Sequence, residues 1–216
     1  EGSIAVPVGR SFTYFYTAPG PGTYMWHCHF EPVEHIQMGM VGPLLVRPLQ
    51  DGNDGGGDPF KGKYVFNDGD GSTEYDREYS IFISELDSRP HELLPNVQEF
   101  EWTEYKPDYW LMNGRAYPDT LKPNNDPSMP LQPVSSLIRA AAGEKVLLRI
   151  SNLGYEQHAL QMPGISFKVV GKDAKILRGP NGEDRSYWAN TLYVKPGTSY
   201  DVIFTAPDVA EETTYY

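Results

Sequence analysis

The stretch from Gly22 to Met40 reads Gly-Thr-Tyr-Met-Trp-His-Cys-His-Phe-Glu-Pro-Val-Glu-His-Ile-Gln-Met-Gly-Met. It contains the only cysteine of the chain, three of its five histidines and three of its six methionines. Residues 23–26 are rich in β-branched and aromatic side chains, which favour a strand. Because side chains alternate along a strand, His27 and His29 should leave one face and Cys28 the other. A single tetrahedral ion could not easily collect all three, so the pattern disfavours a structural zinc site and favours two metal sites placed back to back.

The Cys28 side of this stretch offers a recognisable set of metal ligands. Cys28, His35 and Met40 supply a thiolate, an imidazole and a thioether. With one more imidazole they would form the His₂Cys set with a weak axial methionine that defines a blue-copper site. Met38 is the weaker candidate for the axial position. The alternative is a buried cysteine with unrelated histidines nearby, since free cysteine is often a small core residue; it requires the clustering to be accidental.

This segment resembles the copper-binding loop of the multicopper oxidases, a family of cupredoxin domains that oxidise substrates one electron at a time and reduce O₂ to water. The resemblance implies that Cys28, His35 and Met40 bind a type 1 copper, and that His27 and His29 bind the type 3 pair of a trinuclear cluster of type 2 and type 3 copper. It also implies that Cys28, His27 and His29 carry electrons between the two centres. One departure is the loop length, because six residues separate Cys28 from His35 where His-Cys-His-x3-His leaves four. We interpret this as a variant of the loop.

The composition restricts the possible partners and the fold class. The 216 residues have a formal net charge of −11, which makes nucleic acid and anionic membranes poor partners. No apolar run approaches the length of a membrane span, and no signal-peptide pattern is present. A single cysteine excludes a disulfide within the chain but not an oxidising compartment. The resemblance implies a periplasmic or extracellular location.

Many short apolar and aromatic runs between glycine and proline turns predict an all-β fold. We predict a cupredoxin-like Greek-key β-sandwich arrangement with one partial and one nearly complete domain. The first region would contribute strands at Ile4–Val8, Ser11–Thr17 and Met40–Arg47 around the predicted copper strand. The expected boundaries are 1–50 for the C-terminal part of a copper-binding cupredoxin domain, 51–60 for a linker, and 61–216 for a second domain, truncated at its end.

The second region shows a regular succession of strand patterns. The predicted strands are Lys63–Asn67, Glu78–Leu86, Tyr109–Asn113, Val134–Arg139, Lys145–Ser151, Ile165–Val170, Thr191–Val194 and Ser199–Thr205. Turn signals such as Asn113-Gly114 and Pro196-Gly197 lie between them. Eight short strands at this spacing are typical of a Greek-key sandwich.

An internal repeat supports two copies of one unit. The segment Gly9–Pro19 (Gly-Arg-Ser-Phe-Thr-Tyr-Phe-Tyr-Thr-Ala-Pro) matches Gly197–Pro207 (Gly-Thr-Ser-Tyr-Asp-Val-Ile-Phe-Thr-Ala-Pro). Thr213-Thr-Tyr-Tyr216 then occupies the place that Thr23-Tyr24 has before His27. We therefore expect a fragment at both ends, comprising the end of one domain and most of the next. The resemblance implies that such a fragment, holding only part of the copper ligands, is inactive by itself.

The second region should bind no copper of its own. Family domains that contribute to the cluster carry His-Pro-x-His-x-His-Gly before a Phe-x-Val-Val-Gly strand, whereas only His158 remains here. Gln161 and Pro163 stand at the other two positions, and neither is a good copper ligand. We therefore predict a structural or interfacial role for His158. The stretch Asn113–Pro118 resembles that of copper-free middle domains, so further domains or neighbouring subunits would supply the missing histidines.

Three functions fit these patterns. The leading one is a multicopper oxidase whose electron donor is a phenol, an aromatic amine or a metal ion and whose acceptor is O₂. Glu31 and Glu34 could hold a cationic or hydrogen-donating substrate, or they could be part of a solvated loop. A copper nitrite reductase-like enzyme is the second possibility, but it needs only one histidine beside the cysteine, so His29 favours the oxidase. The third is a non-catalytic blue-copper electron-transfer protein, which would leave the face of His27 and His29 without a purpose.

Overall fold

The computed structural model describes residues 4–51, 62–209 and 213–214. Its strands are β1 (Gly22–His27), β2 (Val41–Val46), β3 (Lys63–Tyr64), β4 (Glu74–Tyr75), β5 (Arg77–Leu86), β6 (Tyr109–Met112), β7 (Lys145–Asn152), β8 (His158–Gln161), β9 (Phe167–Lys172), β10 (Lys175–Ile176), β11 (Tyr187–Ala189), β12 (Thr191–Val194) and β13 (Thr198–Thr205). The helices are α1 (Pro32–Gln37), α2 (Ser88–Leu93) and single 3₁₀ turns at Leu94–Asn96, Trp102–Glu104 and Asp119–Leu121. The prediction of an all-β, cupredoxin-like fold is confirmed. Neither α-helix in the described part of the chain has the length or apolar character needed to cross a membrane.

A seven-stranded sheet lies at the centre of the fold. Its order is β10-β9-β13-β7-β5-β6, and β11 pairs with β9. β5 and β7 run parallel, whereas β7 and β13 are antiparallel along their whole length. Three two-stranded sheets complete the structure, formed by β1 with β2, β3 with β4, and β8 with β12.

The period-2 pattern of β7 explains how both faces of this sheet are covered. Val146, Leu148 and Ile150 point into the main core, while Leu147 and Arg149 point to the opposite face. The main core lies between the large sheet and β8–β12; its buried members are Ile81, Ile83, Val146, Leu148, Ile150, Phe167, Val169, Leu192, Val194, Tyr200, Val202 and Phe204. A smaller cluster on the opposite face unites Leu147, Val170 and Ile203 with Val65, Phe66 and Tyr75.

The β1–β2 hairpin packs on that opposite face through buried polar contacts. Thr23 Oγ1 donates a 2.6 Å hydrogen bond to Asp201 Oδ1, and Ser199 Oγ donates a 2.6 Å bond to the Thr23 carbonyl. Arg149 Nη1 lies 3.1 Å from Asp201 Oδ1, and both side chains are fully buried. Gly22 permits the close approach, because a Cβ at its position would lie 2.7 Å from the Ala174 backbone. These contacts compensate the desolvation of the pair only in part, because Asp201 Oδ2 and Arg149 Nη2 are buried without a hydrogen-bond partner among the described residues and burial raises the pKa of Asp201.

Most strand predictions for the second region agree with the structure, including those for β5, β6, β7, β9, β12 and β13. The predicted strand at Lys63–Asn67 is shorter, since β3 ends at Tyr64. The prediction for Val134–Arg139 is wrong, because backbone groups in this segment form hydrogen bonds with side chains instead of with a neighbouring strand. Asn124 Oδ1 accepts from the Ser135 amide at 2.7 Å, and the Tyr79 hydroxyl bonds both polar backbone groups of Arg139.

The strand predictions for Ile4–Val8 and Ser11–Thr17 are also wrong. Both segments are exposed and lack ladder pairing to any described residue. A strand requires a neighbour for its backbone N–H and C=O groups, and local propensity cannot replace that neighbour. The predicted linker at 51–60 lies outside the described residues except for Asp51.

Candidate metal centre

The loop between β1 and β2 brings the ends of its ligand-rich sequence together. The Cys28 amide donates to the Met40 carbonyl at 3.0 Å, which extends the β1–β2 ladder by one bond. Between them, α1 begins with Pro32 at its first turn after Glu31 in the left-handed region. The Met40 amide donates to the His35 carbonyl at 2.9 Å and closes the loop. Residues separated by up to twelve positions in the sequence thus meet at one end of the hairpin.

Cys28 and His35 form the centre of the site. Cys28 Sγ lies 3.2 Å from His35 Nδ1, and both side chains are half-buried. Two donors that bind one ion with bonds of about 2.0–2.3 Å lie about 3.5 Å apart, so this pair is close to the required separation. The Phe30 amide is 3.4 Å from Sγ and would remain a donor to the thiolate form. A soft sulfur beside an imidazole is a donor set that suits copper.

The two candidate methionines differ in their relation to Cys28. Met40 is bonded to Cys28 through its backbone and is 48% exposed. Met38 is the C-cap of α1 and is 37% exposed. The backbone contacts bring residue 40 next to the Cys28–His35 pair, and the choice of Met40 as the axial residue stays a prediction.

His27 and His29 form a second group of donors. Their rings stack at a centroid distance of 4.3 Å with an interplanar angle of 11°. His27 Nδ1 lies 2.8 Å from the Cys28 carbonyl oxygen. If Nδ1 carries the proton in this contact, Nε2 keeps the lone pair that a metal ion needs. The two imidazoles thus lie together, while Cys28 Sγ contacts His35 Nδ1 and the Phe30 carbonyl oxygen, each at 3.2 Å.

An acidic group borders the Cys28–His35 pair. Single donor atoms of Glu31, Glu34 and His35 lie within 4.8 Å of one another. Glu31 is exposed, while Glu34 is half-buried in the first turn of α1. The carboxylates give this end of the hairpin a negative charge beside the candidate metal ligand.

The second region uses its histidines differently. His158 Nε2 contacts the carboxylate of Glu85, whose side chain is fully buried. Gln161 lies in β8 opposite Thr191, and Pro163 follows β8 in a turn. Within residues 62–209, all described, no group of three His, Cys, Asp or Glu side chains comes together as a candidate metal site.

The structure adds residues that the sequence did not single out. Tyr155 donates its hydroxyl to the Val33 carbonyl of α1, and Gln37 Nε2 of the same helix donates to the Glu85 carbonyl at 3.0 Å. Tyr155 and Tyr105 meet edge to face at 5.0 Å. The sequence signal available for this group was the acidic Glu85 near the end of the apolar strand pattern that begins at Ile81.

Comparison with known proteins relates both regions to one family. Two family models, each described as multicopper oxidase, match residues 2–50 and residues 78–216. The copper-containing nitrite reductase of Neisseria gonorrhoeae is 25% identical over 170 residues, which are 76% of this chain and 33% of that protein. The chain therefore spans about a third of the length of this curated relative.

Solved structures share the fold. The blue copper oxidase from Nitrosomonas europaea superposes with a TM-score of 0.68 at 24% identity, covering 94% of this chain and 51% of that one. A copper nitrite reductase, also from Nitrosomonas europaea, gives a TM-score of 0.60 at 20% identity and covers 90% of this chain and 56% of that one.

Proposed function

The chain belongs to the multicopper oxidase family, and we propose that it acts in a copper-dependent oxidoreductase that couples one-electron oxidation of a donor to reduction of O₂ to water. The observation that carries the proposal is the arrangement at the end of the hairpin. Cys28 Sγ lies 3.2 Å from His35 Nδ1, and the stacked rings of His27 and His29 flank it in the sequence.

We assign Cys28, His35 and Met40 to a type 1 copper, and His27 and His29 to the trinuclear type 2 and type 3 centre. Copper bound at these positions would supply one-electron redox chemistry and O₂ reduction. The chain's own contribution is to hold the ligands: the Cys28–Met40 backbone bond closes the loop, and the Cys28 carbonyl orients His27. Metal affinity depends on such outer contacts as well as on the ligands.

Cys28 is joined by a peptide bond to a histidine on either side. A short covalent path therefore leads from the thiolate to both imidazoles, and we assign to Cys28, His27 and His29 the transfer of electrons between the two centres. Glu31 and Glu34 favour a donor that is cationic or that gives up a proton, because their charge borders His35.

The remaining features of the enzyme belong to the same proposal. Residues 1–50 would be the C-terminal part of a copper-binding cupredoxin domain and 61–216 a second domain without copper. The other ligands would come from further domains or neighbouring subunits. We place the enzyme in the periplasm or outside the cell.

A copper nitrite reductase is the second candidate, because the curated relative at 25% identity carries that name. The two functions differ in their need for His29, since nitrite reductases need only one histidine beside the cysteine. The stacking of His29 on His27 favours the oxidase, in which both rings would serve one cluster.

Replacing His29 tests this assignment. In the copper-loaded full-length protein, we expect four electrons and four protons to convert each O₂ to two waters. His29→Gln should abolish O₂ consumption in an oxygen electrode and keep the blue absorption, because His29 is not a type 1 ligand. His91→Gln, a change in α2, is the matched control and should keep both. Reduction of nitrite without consumption of O₂ by the unaltered protein would favour the second candidate.

A further inference from the structure

Helix α1, which carries His35, is held from outside the hairpin. The Tyr155 hydroxyl donates to the Val33 carbonyl in its first turn. At its last residue, Gln37 is buried, and its Nε2 donates to the Glu85 carbonyl at 3.0 Å and to the Tyr105 hydroxyl at 3.1 Å. A helix of six residues is not stable alone, so these contacts determine where it lies.

The loop that carries Tyr155 is itself fixed by a buried carboxylate. Glu85 Oε2 accepts from the Tyr155 amide at 2.7 Å and from the Glu156 amide at 3.4 Å. The other oxygen of Glu85 contacts His158 Nε2. Gly154 leaves room for this carboxylate, because a Cβ there would lie 2.1 Å from Glu85 Oε2. A buried polar side chain of this kind is retained only when such partners satisfy its hydrogen bonds.

Tyr155 is suited to the role of a permanent donor. Burial raises the pKa of Tyr155 to about 12, so its hydroxyl keeps its proton into the alkaline range where an exposed tyrosine would lose it. Burial also raises the pKa of Tyr105, whose ring packs against that of Tyr155. The contact with Val33 lies two residues from His35, and a displacement there would move the imidazole relative to Cys28 Sγ.

We propose that Glu85 and His158, acting through Tyr155, are positioning residues that hold α1 and thereby set the orientation of His35 at the type 1 copper. This inference rests on the proposed copper site. His158 is the one histidine of the family motif that remains in the second region. The inference gives it a function, since His158 would support the copper site of the first region without binding metal.

Tyr155→Phe removes one hydroxyl and preserves the ring, so it tests the support with little risk to folding. Tyr79→Phe is the matched control, since the Tyr79 hydroxyl donates to the Arg139 carbonyl at 2.6 Å and has no contact with α1. In the metal-free protein, Tyr155→Phe should accelerate hydrogen exchange at the His35 and Met38 amides about fivefold, the loss expected for one net hydrogen bond. Tyr79→Phe should leave these amides unchanged.

The decisive measurement is the spectrum of the copper-loaded full-length protein. Tyr155→Phe should keep its copper but shift the thiolate charge-transfer band and the copper hyperfine coupling, and Glu85→Gln should shift both in the same direction. Tyr79→Phe should match the unaltered protein. Spectra of Tyr155→Phe and Glu85→Gln identical to that of the unaltered protein would overturn the inference, even with faster exchange in α1. Absence of the band from the unaltered protein would instead overturn the proposed function itself.

Discussion

Residues 9–19 and 197–207 carry the same sequence pattern but have different structures. The second copy contains β13, which pairs with β7 on one side and β9 on the other and is buried from Ser199 to Phe204. The first copy is exposed throughout and is paired with no described strand. The difference shows that the pattern encodes a propensity to form a strand, and that the neighbouring strands decide whether one forms.

The β1–β2 hairpin and the large sheet also differ in what they contain: the hairpin carries the candidate metal ligands, and the sheet carries most of the apolar core. The candidate metal ligands lie at one end of the β1–β2 hairpin and are half-buried or exposed, whereas the apolar core lies within the large sheet. The hairpin is joined to the sheet through Thr23, Asp201 and Arg149 rather than through an apolar cluster. These buried polar contacts fix the position of the hairpin relative to the sheet, because each buried polar group needs its own hydrogen-bond partner.

The largest expected effect distinguishes the two copies of the repeat. Tyr16 and Phe204 occupy equivalent positions, but Tyr16 is 66% exposed and Phe204 is 5% exposed within the main core. In this 216-residue chain, Phe204→Ala should lower the free energy of unfolding by about 3–5 kcal/mol, the typical cost of a large core truncation. Tyr16→Ala should change it by less than about 0.5 kcal/mol.

Urea unfolding of the two variants provides the measurement. Similar losses for both would mean that residues 9–19 are packed in solution as β13 is, and the contrast between the copies would disappear. A small loss for Phe204→Ala would contradict the assignment of the core.

A smaller effect tests the attachment of the hairpin. Thr23→Val keeps the side-chain shape but removes the hydroxyl that donates to buried Asp201, and should cost about 1–3 kcal/mol. Thr103→Val is the control, because the Thr103 hydroxyl also donates to a carboxylate, that of Glu101 at 2.9 Å, but in an exposed turn. It should cost less than about 0.5 kcal/mol. Equal costs for the two changes would show that the polar contacts do not hold the hairpin.

Much of the sheet could be predicted from the sequence because its strands are long and apolar. β7 and β13 have nearly continuous apolar or alternating patterns, and both were predicted within a residue or two of their bounds. β8 was missed because its four residues, His-Ala-Leu-Gln, carry little strand signal. The segments at 4–8 and 11–17 were predicted as strands because propensity is local while strand pairing is not.

In the candidate site, too, the features that lie close together in the sequence could be predicted and the contacts between distant residues could not. The clustering of Cys28 with His27, His29 and His35 is visible within nine residues, and the structure brings Cys28 to His35. The support from Tyr155 could not be predicted, because it lies 122 positions after Val33 in the sequence. Contacts over such distances depend on how the hairpin packs against the sheet, which no local pattern specifies.

The central claim is that Cys28 and His35 bind copper together, and visible absorption of the copper-loaded full-length protein tests it most directly. A copper–thiolate bond gives an intense charge-transfer band, and neither a hydroxyl nor a displaced ligand reproduces it. We expect Cys28→Ser to abolish the band and His35→Gln to abolish or strongly shift it, while His91→Gln keeps it unchanged. An unaltered blue band in Cys28→Ser would contradict the account, because the only cysteine of the chain would then have no part in the copper site.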